Sequence, residues 1–268
     1  MCSIRIINLH LSPLLTLQVK GFNMKRPVRV SIVIPTYNEK ENIQRLIPKM
    51  EATKEKAYVD LHIIVVDDAS PDGTAEEAEK FAKKYGNITV LRRSDKLGIG
   101  SAYKDGFKVA RSLGCDVLLE MDADLSHDPK FIADFVEKIL QGYDLVIGSR
   151  YIPGGSIPGW PLRRRMVSKG ANFLARLLLG LDVKDVTSGY RAFDSKTLRK
   201  VDFSSIKSDG YMFQVETIYR YKKAGLKIGE TPIIFLDRRL GTSKLGLREV
   251  LKFAGGLISL LIDRIGLA

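Results

Sequence analysis

Two aspartates with one residue between them, Asp122 and Asp124, follow an apolar run at residues 117–119. Side chains two residues apart on a β-strand point to the same face, so both carboxylates would lie together where this run ends. Mg²⁺ accepts one or two protein carboxylates and completes its octahedron with phosphate oxygens and water. The pair therefore predicts a clamp for a metal-bound diphosphate. Solvated loop acids share this spacing, so the prediction needs support from the rest of the chain.

The excess of basic residues lies in the second half of the chain. Residues 1–147 contain 21 basic and 21 acidic side chains, whereas residues 148–268 contain 22 and 10, which accounts for the whole net charge of +12. Such asymmetry favours an anionic partner over a merely solvated basic face. Three consecutive arginines, at 163–165, begin a predicted helix where the helix dipole prefers acids, which again favours an anionic ligand. A phosphorylated substrate, an acidic membrane surface and nucleic acid all carry such a charge.

Composition and spacing exclude two classes of partner. Nucleic acid recognition needs basic residues interleaved with stacking aromatics on one surface, whereas the arginines here fall at strand ends and in loops beside acids. The two cysteines, Cys2 and Cys115, lie far apart, and the three histidines do not cluster with them. This pattern fits a reducing compartment and excludes a zinc motif. We therefore expect no nucleic acid partner and no structural zinc.

Alternating strands and helices would position the charged residues. β-Branched runs predict strands at residues 28–34, 61–66, 88–91, 117–121 and 145–150. Apolar residues at helical spacing predict helices between them. This alternation predicts an α/β fold, in which ligands bind beyond the carboxyl ends of the strands, where the two aspartates fall. A later run at 228–236 contains Pro232, which predicts an edge strand.

Polar residues after the first two strands have two interpretations each. The stretch Pro35–Glu39 is either a plain strand–turn–helix joint or a place where Tyr37 stacks on a flat ring and Glu39 binds a ribose or a base edge. Asp68 either caps the following helix or accepts a hydrogen bond from a ribose hydroxyl or a base. The glycine-rich stretch Gly98–Gly106 has neither dinucleotide-binding nor Walker spacing, so it predicts only a tight turn into a helix.

The two ends of the chain have patterns of their own. Residues 1–24 form an apolar leader, interrupted by Pro13, which we expect to lie outside the folded unit. Residues 247–265 place apolar side chains on one helical face, which predicts either a docked helix or a helix lying in a membrane interface. No apolar run reaches the ~20 residues that a membrane-spanning helix needs.

Seven motifs in one order, between about Val28 and Leu247, resemble those of the family 2 glycosyltransferases of GT-A type. They are Pro35–Glu39, Val66–Thr74, Met121–Pro129, Gly148–Arg150, Ser168–Asn172, Thr187–Arg191 and Asp237–Lys244. The first four are similar to motifs of nucleotide-sugar transferases in general. The last three are similar to those of the branch that glycosylates polyprenyl phosphates, the dolichyl-phosphate mannosyltransferases. Seven motifs in order are far more specific than any one alone.

The resemblance implies a fold, an activity and a location. It implies a GT-A domain over residues 25–246, with a Rossmann-like, mostly parallel sheet flanked by helices, and an amphipathic interfacial helix over 247–268. The activity would be inverting transfer of mannose from GDP-mannose to the phosphate of dolichyl or polyprenyl phosphate; glucosyl transfer from UDP-glucose to the same phosphate is the alternative. We expect the enzyme on the cytoplasmic face of a membrane, held by the membrane surface itself or by a small membrane-anchoring protein.

Position by position, the resemblance also implies which residues hold each ligand. The donor would be bound by Pro35, Tyr37, Glu39, Val66, Asp68, Asp122, Ala123, Asp124, Arg238 and Lys244. The cofactor, Mg²⁺ or Mn²⁺, would be bound by Asp122, Asp124 and Ser126, the last standing where some relatives have glutamine. The acceptor phosphate would be bound by Arg150, Arg164 and Ser168. Catalysis would fall to Asp124, Arg150 and Arg164. Apart from the resemblance, His127 is either a metal or phosphate contact or, as is commoner for a single histidine beside a helix start, a surface or capping residue.

The chemistry of such a transfer agrees with these residue types. A phosphate monoester has its second pKa near ~6, so the nucleophile is already ionised at neutral pH and needs no general base. The leaving nucleoside diphosphate gains negative charge, which a metal ion and arginines stabilise. Direct attack at the sugar C1 inverts that carbon and gives a β-linked product from an α-linked donor.

Overall fold

The computed structural model describes residues 18–19, 22–23, 26–57, 59–237 and 247–266. The strands in these ranges are β1 (Gln18–Val19), β2 (Phe22–Asn23), β3 (Val28–Thr36), β4 (Val59–Asp67), β5 (Ile88–Arg92), β6 (Val117–Glu120), β7 (Leu145–Ser149), β8 (Arg191–Asp194) and β9 (Ile228–Pro232). The α-helices are α1 (Lys40–Ala57), α2 (Thr74–Tyr85), α3 (Ile99–Ser112), α4 (Ile132–Leu140), α5 (Leu162–Leu179), α6 (Tyr211–Lys223) and α7 (Leu247–Arg264). Short 3₁₀ turns lie at Pro129–Phe131, Thr197–Arg199 and Phe203–Ser205.

The described strands β3 to β9 form one seven-stranded sheet in the order β5-β4-β3-β6-β8-β7-β9. Six of these strands run parallel, and β8 runs antiparallel to its neighbours β6 and β7. The carboxyl ends of β3, β4, β6 and β7 therefore meet at one edge of the sheet, beside the start of β8. This edge is where the sequence placed the polar motifs, and the predicted mostly parallel α/β fold is confirmed.

The sheet is buried on both faces, which explains why its strands are almost continuously apolar. Alternate residues of β3 enter different cores: Ile32 faces the core under α1, α2 and α4, whereas Val33 faces the core that includes α3, α5, α6 and α7. Residues Ile63 and Ile64 of β4 divide in the same way. The two helical layers thus hold the sheet between them, and the loops at its carboxyl edge are left to form a site.

Two elements differ from what the sequence predicted. The four-residue strand β8 was not predicted, because its alternation of charged and apolar residues is too short to stand out. The predicted run at 228–236 ends as a strand at Pro232, and β9 lies at the edge of the sheet as expected. In the predicted leader, the described residues Gln18–Val19 pair with Phe22–Asn23 as a small hairpin.

The C-terminal helix α7 is confirmed as a helix and packs against α5 and α6. Its residues Leu257 and Leu260 are buried, whereas Leu251, Ile258 and Ile265 are exposed. The docked-helix interpretation is therefore confirmed for one face of α7, and the membrane-interface interpretation stays a prediction for its exposed apolar face. Within the described ranges, no helix is long and apolar enough to cross a membrane.

One close approach between layers depends on a glycine. Helix α3 crosses β3 at Gly106, where a Cβ atom would lie 2.3 Å from Cγ1 of Val33 and 2.9 Å from its Cγ2. Both residues are buried, so neither can move toward solvent. The absence of a side chain at Gly106 is what lets α3 lie directly on the sheet.

We predict that Gly106→Ala lowers the free energy of unfolding by roughly 1–3 kcal/mol, because the added methyl overpacks against Val33. Gly170→Ala is the matched control, since Gly170 also lies inside a helix but has open space around the new Cβ. That control should leave stability unchanged or raise it by up to about 1 kcal/mol. Urea unfolding followed by circular dichroism measures both, and equal effects at the two glycines would contradict the packing argument.

Candidate active site

The paired carboxylates lie at the carboxyl edge of the sheet, directly after β6. Asp124 is buried, and its Oδ1 accepts the backbone N–H of Ser126 at 3.0 Å. Asp122 is partly exposed, and its Oδ1 accepts the Tyr103 hydroxyl at 3.4 Å. Burial raises the pKa of Tyr103 far above its usual value, so this hydroxyl stays protonated and can donate. The two carboxylates are therefore held by different supports within a single short loop.

Ser126 fits the predicted third metal ligand. It is fully buried, and its hydroxyl oxygen has no hydrogen-bond partner among the described residues. Buried hydroxyls normally have a partner, so this oxygen is suited to contact a ligand. No cluster of three or more histidine, cysteine or carboxylate side chains suited to a metal occurs in the described part of the chain. A cation here would complete its coordination with ligand oxygens and water, as Mg²⁺ commonly does.

The prediction for His127 was wrong, because the structure buries this side chain at 2% exposure. Its ring stacks on Tyr190 at 4.8 Å, and its Nδ1 accepts the backbone N–H of Asp122 at 3.0 Å. His127 therefore positions the main chain of the carboxylate loop. No local pattern revealed this role, since its aromatic neighbours Tyr190 and Phe235 lie far along the sequence.

A buried ion pair lies beneath the carboxylate loop. Arg191, the first residue of β8, donates to Glu120 Oε2 from Nε at 2.8 Å and from Nη2 at 2.5 Å. Its Nη1 donates to the carbonyl of Gln214 at 3.0 Å. Both charged side chains are completely buried, and burial raises the pKa of Glu120 to about 7 against the opposing pull of Arg191. The pair joins the strand that carries the aspartates to its antiparallel neighbour.

The two stretches predicted to bind a nucleotide lie side by side. Strands β3 and β4 pair in register, with Pro35 opposite Val66 and Thr36 opposite Asp67. Tyr37 is 37% exposed, and the Lys96 ammonium lies 3.5 Å from its ring centroid. The Lys96 ammonium covers one face of this ring, so a flat ligand would stack on the other face.

Asp68 and Val66 have more restricted roles than the sequence indicated. Asp68 does not cap helix α2; its Oδ1 accepts Arg93 Nε at 2.5 Å and its Oδ2 accepts the backbone N–H of Gly98 at 3.2 Å. A nucleotide base that contacts Asp68 must therefore share its carboxylate with Arg93. Val66 and Ala123 are buried in the cores, so they can meet a ligand only through their main chains.

Basic residues gather beyond β7, where Arg150 is locked in place. Its Nε and Nη2 donate to the two oxygens of Asp185 at 2.6 and 2.7 Å, and Nη2 also donates to Thr187 at 2.9 Å. Asp185 is completely buried, and its backbone N–H donates to Glu230 at 3.1 Å. Arg150 is thus a fixed cation rather than a flexible one.

Trp160 connects the two arginines predicted to meet the acceptor. The guanidinium carbon of Arg164 lies 3.8 Å from the Trp160 ring centroid, and that of Arg150 lies 5.6 Å from it. Trp160 is only 7% exposed, yet its indole N–H has no acceptor among the described residues. Buried indole N–H groups usually find a partner. No sequence pattern indicated this role, because a lone tryptophan after a glycine belongs to no motif.

The structure describes only some of the other residues that were predicted to bind the acceptor or the donor. The Ser168 hydroxyl accepts the Tyr151 hydroxyl at 2.7 Å, and Arg164 pairs with Asp237 at 2.9 Å. Arg238 and Lys244 lie outside the described residues. The structure therefore brings Arg150 and Arg164 together and leaves the role of the following loop as a prediction.

Two oppositely charged groups thus face the same edge of the sheet. We call the carboxylates of Asp122 and Asp124 the acidic pole, and the guanidinium groups of Arg150 and Arg164 the basic pole. The segment after β9 joins them: the Leu236 N–H donates to the Ser126 carbonyl at 3.3 Å, and the Phe235 ring contacts both His127 and Trp160. A cation between the carboxylates and anions on the arginines can coexist here. The arrangement suits a reaction in which one phosphorylated group leaves and another attacks.

Three loops at this edge contain backbone conformations that are unusual for non-glycine residues. Asn38, Ala69 and Leu125 have positive φ angles of 59°, 53° and 65°, and they are the non-glycine residues with positive φ in the described part of the chain. They follow β3, β4 and β6 respectively. Such strain concentrates at sites where the surrounding fold imposes it.

Comparisons with known proteins agree with this arrangement. The sequence model described as Glycosyl transferase family 2 matches residues 31–202. Polyprenol monophosphomannose synthase of Mycolicibacterium smegmatis is 42% identical over 218 residues, which are 81% of this chain and 81% of that protein. Undecaprenyl-phosphate mannosyltransferase of Micrococcus luteus is 43% identical over 218 residues, 81% of this chain and 88% of that protein.

A solved structure shares the fold at low sequence identity. Glucosyl-3-phosphoglycerate synthase of Mycobacterium tuberculosis, in complex with Mn²⁺, uridine diphosphate and glucosyl-3-phosphoglycerate, superposes with a TM-score of 0.61 at 23% identity. The match covers 89% of this chain and 80% of that one. This likeness confirms the predicted GT-A class of fold.

We predict that Arg191→Met destabilises the protein by roughly 3–5 kcal/mol, because it leaves Glu120 buried without a cation. The loss should be nearly constant between pH 5 and 6 and should grow between about pH 6 and 8, because the pKa of Glu120 is about 7 beside Arg191. Removing Arg191 raises the folded-state pKa of Glu120 further above its unfolded value, so the folded state retains a proton that the unfolded chain has released. Urea unfolding across this pH range measures the effect.

The double variant Glu120→Gln with Arg191→Met is the control. It removes the buried ionisable group, so it should be more stable than Arg191→Met at pH 8 and should lose the added pH dependence. If the single and double variants have equal stability at every pH, Glu120 does not depend on Arg191 in the folded protein.

Proposed function

Since this chain belongs to glycosyl transferase family 2, we propose that it transfers mannose from GDP-mannose to the phosphate of a polyprenyl phosphate, dolichyl phosphate included. Two relatives that are 42% and 43% identical are named for mannose transfer to such lipids. The observation that carries the proposal is the pairing of an acidic pole at the end of β6 with Arg150 and Arg164 on one indole ring. Such a site accommodates a metal-bound diphosphate beside a second anion.

The donor lies on the acidic side in this proposal. The guanosine stacks on Tyr37 and bonds to Glu39 and Asp68, with main-chain contacts from Pro35 and Val66. The diphosphate lies by Asp122, Ala123 and Asp124. Mg²⁺ or Mn²⁺, held by Asp122, Asp124 and Ser126, would offset the charge that the leaving diphosphate gains. The buried, unpartnered Ser126 hydroxyl supports that ligand set. Arg238 and Lys244 stay predictions as cations for the same diphosphate.

The acceptor phosphate lies on the basic side, against Arg164, Ser168 and the free edge of Arg150. It attacks already ionised, so the chain holds and orients it rather than removing a proton. One phosphate oxygen forms a bond to the sugar C1 as the bond from C1 to the diphosphate breaks, and the electron pair leaves on the diphosphate. Attack from the side opposite the leaving group inverts C1 and gives the β-linked mannosyl lipid. The arginines keep two anions in line despite their repulsion.

A lipid acceptor requires a surface that meets the membrane. Helices α5 and α7 pack together, and both expose large apolar side chains to solvent. Among them, Met166 and Leu177 lie on α5, and Leu251 and Ile258 lie on α7. We propose that these two helices rest in the interface of the bilayer, consistent with the amphipathic pattern of the C-terminal segment. Attachment through a small membrane protein, and residence on the cytoplasmic face, stay predictions.

We predict that the purified chain transfers radiolabelled mannose from GDP-mannose to a polyprenyl phosphate in detergent with Mg²⁺ or Mn²⁺, and that EDTA abolishes transfer. Asp124→Asn should lower the rate by about 10²–10³-fold, because it removes a charge that acts at the reacting diphosphate. Asp60→Asn is the control, since Asp60 is an exposed acid at the start of β4, the end opposite to the site.

Different failures have different meanings. Transfer from UDP-glucose but not from GDP-mannose would keep the mechanism and replace the sugar and nucleotide. Full activity of Asp124→Asn would remove the metal site from the proposal. No transfer from either donor, with the chain folded, would contradict the proposed reaction.

We also predict that Trp160→Phe raises KM for the polyprenyl phosphate about 10-fold while KM for the donor stays unchanged. Phenylalanine retains a ring between Arg150 and Arg164 but lacks the N–H, and a hydrogen bond to a charged group contributes about 1.5–3 kcal/mol. Trp160→Ala should lower activity further, since it also removes the ring from both arginines. If Trp160→Phe has the same KM for the polyprenyl phosphate as the parent protein, the indole N–H does not contact the acceptor.

A further inference from the structure

A second basic cleft lies beside the active site and shares only Arg150 with the residues assigned to the proposed reaction. It has a volume of about 580 Å³ and opens between one face of α5 and residues 150–158, the loop after β7. We call it the α5 cleft. Its basic lining residues are Arg150, Arg165, Lys169, Arg176 and Lys184, and none of the residues lining it is acidic. A cleft with this lining favours the binding of an anion.

Three of these cations are not neutralised by the described protein. Arg150 is occupied by Asp185, and Arg165 donates to the carbonyl of Ile157 at 3.0 Å. Lys169, Arg176 and Lys184, in contrast, make no ion pair with another described residue. The Nε of Arg176 is buried and has no acceptor there. A buried charged donor without an acceptor is costly, so an external anion would satisfy it.

The α5 cleft is separate from the place proposed for the acceptor phosphate. Of the three residues assigned to that phosphate, only Arg150 lines the cleft; Arg164 and Ser168 do not. Arg176 follows Arg164 by twelve residues on the same helix, which is roughly 18 Å along its axis at 1.5 Å per residue. A phosphate held by Arg164 therefore lies far along the helix from Arg176. The cleft therefore needs a second anion rather than another part of the same one.

The surroundings of the cleft indicate where that anion comes from. Phe173 lines the cleft and is 63% exposed. Met166 and Leu177 on α5, and Leu251 on α7, are also exposed. Unpaired cations next to exposed apolar side chains are the composition of surfaces that bind anionic bilayers, where apolar groups enter the acyl boundary and cations meet the headgroups.

We propose that the α5 cleft binds the phosphodiester headgroup of an anionic bilayer phospholipid. Arg176 binds its phosphate through the planar guanidinium fork, and Lys169 and Lys184 act as point charges beside it. Phe173 enters the acyl boundary next to the bound lipid. The proposal rests on the membrane association proposed above but not on the identity of the sugar or nucleotide. It makes docking depend on bilayer charge while the reacting acceptor occupies a different place.

The test compares vesicle binding of the full chain with that of a triple variant, Lys169→Gln, Arg176→Gln and Lys184→Gln. The matched control is Arg45→Gln, Lys83→Gln and Lys84→Gln, which also removes one arginine and two lysines. These control residues are exposed on α1 and α2, which cover the opposite face of the sheet. Sedimentation with vesicles of phosphatidylcholine, with and without phosphatidylglycerol, measures binding. Thermal unfolding checks that all three proteins are folded.

We expect the parent to prefer phosphatidylglycerol vesicles and the triple variant to lose roughly 100-fold in affinity for them, since each basic residue contributes about a factor of five to ten near such a surface. The control should stay within about threefold of the parent. In detergent, the triple variant should transfer sugar with a parental KM for the lipid phosphate, because the assigned acceptor residues are intact.

Three results would overturn the inference. If the control loses as much affinity as the triple variant, or the parent does not distinguish the two kinds of vesicle, the cleft has no specific headgroup site. If the triple variant raises KM for the lipid phosphate in detergent as much as Arg164→Gln does, the cleft belongs to the acceptor site instead. A lack of transfer by the parent would contradict the proposed function and leave the vesicle result to decide this inference alone.

Discussion

The buried ion pair between Arg191 and Glu120 fixes the point at which the sheet reverses direction. The two residues are register partners at the start of β8, which lies antiparallel between β6 and β7. The acidic pole follows β6 and the basic pole follows β7, so the width of β8 sets the separation of the poles. A shift of this strand by one residue would turn Arg191 to the other face of the sheet and leave Glu120 unpaired.

Two further arginine–carboxylate pairs are buried at the same edge. Arg93 pairs with Asp68 after β4, and Arg150 pairs with Asp185 after β7. Buried pairs of this kind contribute little net stability, because desolvation offsets most of their attraction. Their value here is geometric: each fixes the position of a loop at the carboxyl edge of the sheet. The charge that distinguishes the second half of the sequence is thus divided between anchored cations, such as Arg150, and unpaired ones, such as Lys169 and Lys184.

Local patterns predicted the features that depend on neighbours in sequence. The β-branched runs gave the strands of the parallel sheet, and the position of Asp122 and Asp124 after one of them gave the acidic pole. Features that depend on distant residues were missed. Burial of His127 depends on Tyr190 and Phe235, and the location of Trp160 between Arg150 and Arg164 depends on how α5 meets the loop before it. Strand β8 was missed because four residues of mixed polarity gain strand structure only from the partners on either side.

The left-handed residues Asn38, Ala69 and Leu125 have an energetic consequence for ligand binding. Each such conformation costs a non-glycine residue roughly 1–2 kcal/mol, and the two apolar cores supply that free energy when the chain folds. The main chain around the carboxylates, and around the nucleotide side, is thereby preorganised. A ligand that enters the edge does not have to order these loops, so less of its interaction energy is lost to conformational entropy. Substitutions that relieve this backbone strain would stabilise the fold and weaken ligand binding.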